Sequence, residues 1–389
     1  MEAVDSSAID LAREQIRHAK RVVVKIGSNV LVGGSSGIVN RRIFCSLVEE
    51  LATLDHPDRR MILVSSGAIA VARRQLNVEK PPGGDNIARK QALAAIGQPT
   101  LMNLYTQEFA LYRHHAAQVL ISPENFGDRD RFLNARNTLR ELISIEDVIT
   151  IINENDTTST AEIRFGDNDN LAALTCSIAD ADLLIILSDI DGLYTADPSK
   201  NADAKQLKHV WSDDPSLKPL AAPVDPTGPG SGGMGTKIKA ARVAGGIGVP
   251  TIIAPGRTPG VLRRILAGEE IGTLFVPRER VQARKTWLAF ASLPAGRIVI
   301  DDGAAHALLH KGKSLLSIGV REVVGEFELG SPVEIFTLSG REIARGLANY
   351  PSRDLAAVAG MPSESIVPTL GYTNGDAVVH RDDLVLTEE

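Results

Sequence analysis

Seven short runs in the first two-thirds of the chain are almost wholly aliphatic. They are RVVVKIG (21–27), RMILVSSG (60–67), AAQVLIS (116–122), DVITIIN (147–153), DLLIILSD (182–189), VPTIIAPG (249–256) and GTLFVP (272–277). Most are continuous rather than alternating, which suits strands covered on both faces, as in a parallel sheet. Segments of helical period fill the gaps. NRRIFCSLVEELATL (40–54) puts Ile43, Leu47, Leu51 and Leu54 on one face, and DRDRFLNARNTLRELISI (128–145) carries a similar stripe behind an early Asp. DNLAALTCSIADA (169–181) opens on an Asp-Asn cap, and TKIKAARVAGGIG (236–248) closes in glycines. Strand, loop and helix in repetition predict an α/β fold, an open and mostly parallel sheet sandwiched by helices.

One helical stretch, Asp85 to His115, has Pro99 in its middle. Proline lacks the amide that the helix ladder needs, so a break or kink is expected there. The segment then projects beyond the sheet or packs as two helices, a candidate oligomer surface, with His114-His115 at its end. After about residue 280 the texture changes. Short apolar runs are closely spaced by Gly, Pro and Asp turns, which predicts a small β-rich barrel with one or two helices. The charged stretch RERVQARK (278–285) reads as a linker, giving domains 1–280 and 281–389.

Composition narrows the class. Of 389 residues, 43% are hydrophobic and 23% charged, ordinary for a globular chain, while aromatics at 4% leave the core to aliphatic side chains. Two cysteines, Cys45 and Cys176, make neither a disulfide framework nor a Cys-rich zinc site and read as reduced core thiols. The apolar runs fall far short of the roughly 20 residues of a membrane span, and the N-terminus has no apolar signal core, so a cytoplasmic location is expected. Net charge is −6, and residues 281–389 hold 10 Lys and Arg against 14 Asp and Glu. Neither part is basic, which argues against nucleic acid as the main partner.

In open parallel sheets ligands sit beyond the carboxyl ends of the strands, so the residues there carry the candidate chemistry. The first strand ends in Lys25-Ile26-Gly27-Ser28-Asn29, a turn whose amides can cradle a phosphate beside a lysine; a solvated lysine is the bland alternative. The second ends in Ser65-Ser66-Gly67 before a helix, an anion site or merely a close strand–helix turn. The fourth ends in Asn153-Glu154-Asn155-Asp156, followed by Asp167-Asn168-Asp169-Asn170. Each cluster alone reads as caps and Asx turns, but both together favour a site in which Asn holds an α-carboxylate and Asp an ammonium or hydrated Mg²⁺. The fifth ends in Ser188-Asp189, where a nucleobase pocket fits. A Pro/Gly-rich stretch then leads to Ser231-Gly232-Gly233-Met234-Gly235-Thr236-Lys237 at a helix start, a phosphate lid with a second cation. Gly228 to Gly233 match GxGxxG but follow no apolar strand, and no Walker A sequence, His/Cys metal spacing or GxSxG elbow occurs.

KIGSNVL, SSGAIA, INENDTTSTAEIRFGDNDNLAAL, SDIDGLYTADP and SGGMGTK, in this order, resemble the glutamate 5-kinases of the amino acid kinase superfamily. HKGKSLLSIGV and TLGYTNGDAVVHRDDL resemble the PUA domain that many of these enzymes carry. The resemblance implies ATP-dependent phosphorylation of the glutamate γ-carboxylate, with Mg²⁺, as the committing step of proline biosynthesis. It implies that Lys25 and Lys237 sit on the transferring phosphates and that Asp169 organises them. Ser66, Asp156 and Asn168 become glutamate contacts, with Asn153 and Asp167 nearby. Ser188, Asp189 and Ser231 to Lys237 become the nucleotide site. Metal ligands are not assigned. Ser28, Asn29 and Ser65 stand where Thr or Ser is commoner in the family, conservative departures. Feedback inhibition by proline and a homo-oligomer are further implications. Another phosphotransferase of the superfamily, or an RNA-binding protein acting through the PUA-like tail, are the competing readings.

Overall fold

The computed structural model describes residues 2–32, 39–79, 81, 85–122, 129–157, 168–198, 200–201, 203–217, 219–221, 233–278 and 294–386. The chain forms two compact units, Met1–Asn125 with Asp130–Val281, and Phe126–Arg129 with Gln282–Glu389. The linker residues 279–285 lie outside the described residues.

The larger unit begins with helix α1 (Ser6–Arg17), strand β1 (Arg21–Ile26), the short helix α2 (Ser28–Leu31), α3 (Arg41–Leu54), β2 (Arg60–Ser65), α4 (Ala68–Leu76) and α5 (Ile87–Ala110). It continues through β3 (His115–Ile121), α6 (Arg129–Ser144), β4 (Val148–Glu154), α7 (Asn168–Ala179) and β5 (Leu183–Ser188). A two-stranded ladder, β6 (Leu193–Tyr194) with β7 (Gln206–Leu207), precedes β8 (His209–Trp211), α8 (Met234–Gly246), β9 (Thr251–Pro255), α9 (Val261–Leu266) and β10 (Thr273–Val276).

Eight strands form one sheet in the order β3-β4-β2-β1-β5-β9-β10-β8. Every pairing from β3 to β9 is parallel, β10 runs antiparallel to β9, and β8 is parallel to β10. The aliphatic runs explain the placement. From its second residue to its last β1 is buried, β2 likewise, and β5 throughout, as strands sandwiched between helices must be. The run at 115–121 departs from this: β3 is an edge strand, half-exposed along most of its length, so it is not covered on both faces as expected. In α3 the fully buried stripe is Phe44, Leu47, Val48 and Leu51, while Ile43 and Leu54 are only half-buried. Helix α7 is buried from Asp169 to Ala179, enclosed on all sides because it lies within the unit.

Pro99 does not end its helix, which runs unbroken for 24 residues as α5. A proline in a helix interior costs about 3 kcal/mol. The buried face carrying Leu93, Ala94, Leu101, Tyr105 and Phe109 holds the helix in register regardless. That face is internal to the unit, so the expected oligomer surface reduces to the opposite side, where Ile87 and Ile96 are exposed. His115 is the first residue of β3 rather than a helix end, and His114 lies beside Asp55, Nε2 to Oδ2 3.7 Å. Cys176 is buried and Cys45 half-buried, both free.

The smaller unit contains β11 (Gly296–Ile300), α10 (Asp302–Lys311), β12 (Leu315–Leu316), β13 (Val320–Val324), β14 (Pro332–Thr337) and β15 (Glu342–Leu347). It ends with α11 (Ser352–Val358), α12 (Ile366–Leu370), β16 (Ala377–Val379) and β17 (Leu384–Leu386). A five-stranded sheet, β13-β11-β14-β15-β17, accompanies a β12-β16 ladder around a core of its own that includes Ile298, Ile335, Tyr350 and Val378.

Candidate active site

Parallel pairing brings the carboxyl ends of β2, β1 and β5 to one edge: Ile26 pairs with Ser65, and Lys25 with Ile186. At this edge the α7 residue Asp169, fully buried, holds two cations. Its Oδ1 lies 2.5 Å from Lys25 Nζ, and its Oδ2 lies 3.2 Å from Lys237 Nζ near the start of α8. Both lysine side chains are themselves more than nine-tenths buried. The Thr236 hydroxyl lies 2.8 Å from Asp169 Oδ2 and 2.8 Å from the Gly233 carbonyl, its single hydrogen serving either. Burial is the strongest influence on Asp169 and disfavours its charge. The Lys25 and Lys237 ammoniums, with the Lys25 and Thr236 hydrogen bonds, outweigh it and hold the carboxyl below the ordinary carboxylate range. One buried anion under two cations leaves a local excess of positive charge, suited to a polyphosphate.

Beside this cluster lies an amide network. Asn168, the first residue of α7, directs Nδ2 at the Ser65 carbonyl (2.8 Å), Ser66 Oγ (2.7 Å) and Asn153 Oδ1 (2.8 Å). Asn153, the penultimate residue of β4, accepts from the Glu154 amide at 2.9 Å and donates through Nδ2 to Gln98 Oε1 at 2.9 Å. Ser65 Oγ lies 2.9 Å from the hydroxyl of Tyr105, a fully buried α5 residue whose phenol burial pushes well up. Gly67, between β2 and α4, has φ +112°, a conformation that glycine adopts without strain. The turn is tight enough that α4 touches α5, and a Cβ built on Gly97 would stand 1.8 Å from the Ala68 carbonyl oxygen. Asp156 lies just past β4 and is half-buried.

On the other side of β1, Ser188 is buried at the end of β5 with Oγ 3.2 Å from Asp189 Oδ1. Asp189 Oδ2 accepts from Asn29 Nδ2 at 3.2 Å, and Arg257, just past β9, donates to the Asn29 carbonyl at 3.1 Å. The Gly27 amide, expected to be open to a phosphate, instead donates to the Leu187 carbonyl at 3.3 Å. Ser28 and Asn29 lead the short α2.

The structure thus brings together Lys25, Asp169, Thr236 and Lys237, and separately Ser66, Asn153 and Asn168. Gly233 caps α8, and Met234 and Gly235 open it. Asp167, Ser231, Gly232 and most of the Pro/Gly-rich stretch before them lie outside the described residues. Gln98, Tyr105 and Arg257 were not foreseen. For Gln98 the available signal was a polar amide inside an otherwise apolar helix stripe. Among the described residues no group of three or more His, Cys, Asp or Glu forms a metal cage, and Asp169 spends both oxygens on the lysines and Thr236. These residues fit Mg²⁺ only as a companion of nucleotide phosphates, its usual mode. No described helix is long and apolar enough to cross a membrane.

Comparison with known proteins agrees with this arrangement. Residues 20–255 match the amino acid kinase family, and residues 296–369 match the PUA domain. The chain belongs to the amino acid kinase family. Its relatives over nearly the whole length make it, within that family, a member of the glutamate 5-kinases. The glutamate 5-kinase of Pelobacter propionicus is 46% identical over 377 residues, covering 97% of this chain and 100% of the relative. That of Geobacter metallireducens is 45% identical over 372 residues (95% and 98%), and that of Carboxydothermus hydrogenoformans 44% over 376 (97% and 100%). Among solved structures, the UMP kinase of Bacillus anthracis has a TM-score of 0.45 at 16% identity, covering 67% of this chain and 97% of its own.

Proposed function

We propose that this protein transfers the γ-phosphoryl group of ATP to the γ-carboxylate of L-glutamate, the first step of proline biosynthesis. The observation that carries the reading is the single buried carboxylate of Asp169 joining Lys25 and Lys237, next to the Asn168–Asn153–Ser66 network.

The chemistry needs little beyond this. A glutamate carboxyl has a reference pKa of about 4.3, so the nucleophile is already ionised at neutral pH and requires no general base. A carboxylate oxygen attacks the γ-phosphorus, the bond to the bridging oxygen breaks, and ADP departs with that electron pair. The obstacle is repulsion between anions, and catalysis is mostly positioning and charge neutralisation. Lys25 and Lys237 neutralise the transferring phosphates, and Asp169 keeps both ammoniums at fixed positions. Ser66, whose oxygen receives the Asn168 amide, has its own hydrogen to donate to the acceptor, and Asp156 offers an anion to the substrate ammonium. Ser188, Asp189 and the segment 231–237 are read as the nucleotide site. Mg²⁺, carried by the phosphates, shields their charge.

Trapping the acyl phosphate with hydroxylamine tests this. ATP, Mg²⁺ and glutamate should yield γ-glutamyl hydroxamate, and no hydroxamate from an active preparation rejects the reading. Release of ADP with an N-acylated amino acid or a nucleotide, and not with glutamate, would favour another branch of the superfamily. The kinase domain is taken as 1–280 and the PUA-like domain as 281–389. The latter's acidic balance, 10 basic against 14 acidic residues, disfavours RNA as its ligand. Proline is read as an inhibitor competing with glutamate, a cytoplasmic location matches the supply of both substrates, and the outer face of α5 is the expected homo-oligomer contact. Sedimentation of the purified chain reports the last.

A further inference from the structure

Three amides around the acceptor pocket have orientations dictated by backbone groups that cannot exchange roles. The Ser65 carbonyl only accepts, so the Asn168 atom 2.8 Å from it is Nδ2. The Glu154 amide only donates, so the Asn153 atom 2.9 Å from it is Oδ1. Asn153 therefore faces Gln98 with Nδ2, and the Gln98 atom that receives it, 2.9 Å away, is Oε1. The chain of amides is polarised from end to end. At one end Asn168 shares its two hydrogens among Ser65, Ser66 and Asn153, leaving Oδ1 as an acceptor. At the other end stands Gln98 Nε2, a donor with two hydrogens. Gln98 is only 9% exposed, its Nε2 retains contact with solvent, and among the described residues its one side-chain hydrogen bond is the one received by Oε1.

A donor on a side chain this enclosed, open only at its tip, is free to meet an incoming acceptor. A free acceptor on Asn168 and a free donor on Gln98, linked through Asn153, are the two kinds of contact that an ammonium and a carboxylate need. We propose that Gln98 is a specificity-determining residue whose Nε2 donates to the α-carboxylate of the amino acid acceptor, while Asn168 Oδ1 accepts from its ammonium. The proposal rests on reading this pocket as the glutamate site. It assigns the carboxylate to Gln98 rather than to Asn168, because the Asn168 donors are already used.

Two variants of the full chain decide it, each assayed by hydroxamate trapping with L-glutamate and with its α-amide, isoglutamine, whose γ-carboxylate is intact. Gln98→Glu still accepts from Asn153 but turns an anionic oxygen toward the α-carboxylate. The KM for glutamate should rise at least about tenfold. Isoglutamine, whose carboxamide donates to that oxygen, should be unaffected or improved, so the preference for glutamate contracts at least about tenfold. Gln98→Met, similar in length but without a hydrogen bond, should contract it by a smaller factor. The KM for ATP should stay within about twofold in both. The preference is a ratio within one preparation, so partial unfolding cancels from it, and either variant alone suffices if the other does not fold. A preference unchanged within twofold, whether both acceptors are handled normally or both are lost in proportion, makes Gln98 a structural residue and overturns the proposal. A wild type that forms no hydroxamate from glutamate rejects the underlying function instead, so the two failures are distinguishable.

Discussion

The Nζ of Lys237 lies 3.2 Å from Asp169 Oδ2, a contact between the first turns of two helices that are 68 residues apart in sequence. The second lysine shares the same carboxylate, so the three side chains form one electrostatic unit. Removing the carboxylate leaves two uncompensated cations in a buried place.

Asp169→Asn should therefore fail twice. Breaking a buried ion pair from one side typically costs about 3–5 kcal/mol, which urea denaturation at neutral pH will show. The kcat should drop by about 10²-fold or more, because the ammoniums lose their fixed positions.

Lys25→Ala and Lys237→Ala should each lower kcat by about 10²-fold or more. The double variant should lose much less than the product of the two, since residues acting as a unit are not additive. Near-wild-type turnover in either single variant would remove that lysine from the reaction.

Asp156→Ala should raise the KM for glutamate while leaving that for ATP within about twofold. Equal increases in both would place Asp156 outside the acceptor pocket.

Gly97→Ala tests the α4–α5 contact. Its Cβ would meet the Ala68 carbonyl at 1.8 Å, and backbone on both sides must give way. Overpacking of this kind costs on the order of 3 kcal/mol. Because Ala68 follows Ser66 by two residues, the KM for glutamate should increase along with the fall in melting temperature.

Acid titration separates two kinds of buried carboxylate. Asp169 is held below its ordinary value of 3.8, so its stabilisation is complete above that pH and is lost as pH falls through the lower folded value. Glu50 behaves in the opposite sense. Its two oxygens accept the amides of Gly260, Leu262 and Arg263 at the start of α9, but burial is the dominant influence and raises it above 4.5. Wild type should consequently lose stability relative to Glu50→Gln as pH rises from 4.5 through that raised value. Urea midpoints between pH 4 and 8 give the slope, and a slope of the other sign contradicts the assignment.

The central strands were legible because burial on both faces leaves a continuous aliphatic run, and β1, β2, β4 and β5 are such runs. The meeting of Lys25, Asp169 and Lys237 was legible because they stand near strand ends and helix starts, which a parallel sheet gathers at one edge. What escaped depends on partners distant in sequence. Pro99 was expected to break α5, but that expectation lacked the helix's buried face. The antiparallel direction of β10 against β9 is not written in TLFV. Gln98 looked like an ordinary helical amide, and its meaning comes from Asn153, 55 residues away.

Strand β1 lies between β2 and β5 in the sheet, with β4 beyond one and β9 beyond the other. The residues read as gripping the amino acid come from the β2–β4 flank and α5, those read as gripping the nucleotide from the β5–β9 flank, and Lys25 lies on the seam. Inheritance can act on the two flanks separately: a lineage could retune which metabolite is phosphorylated by altering one flank while its energy source stays unchanged.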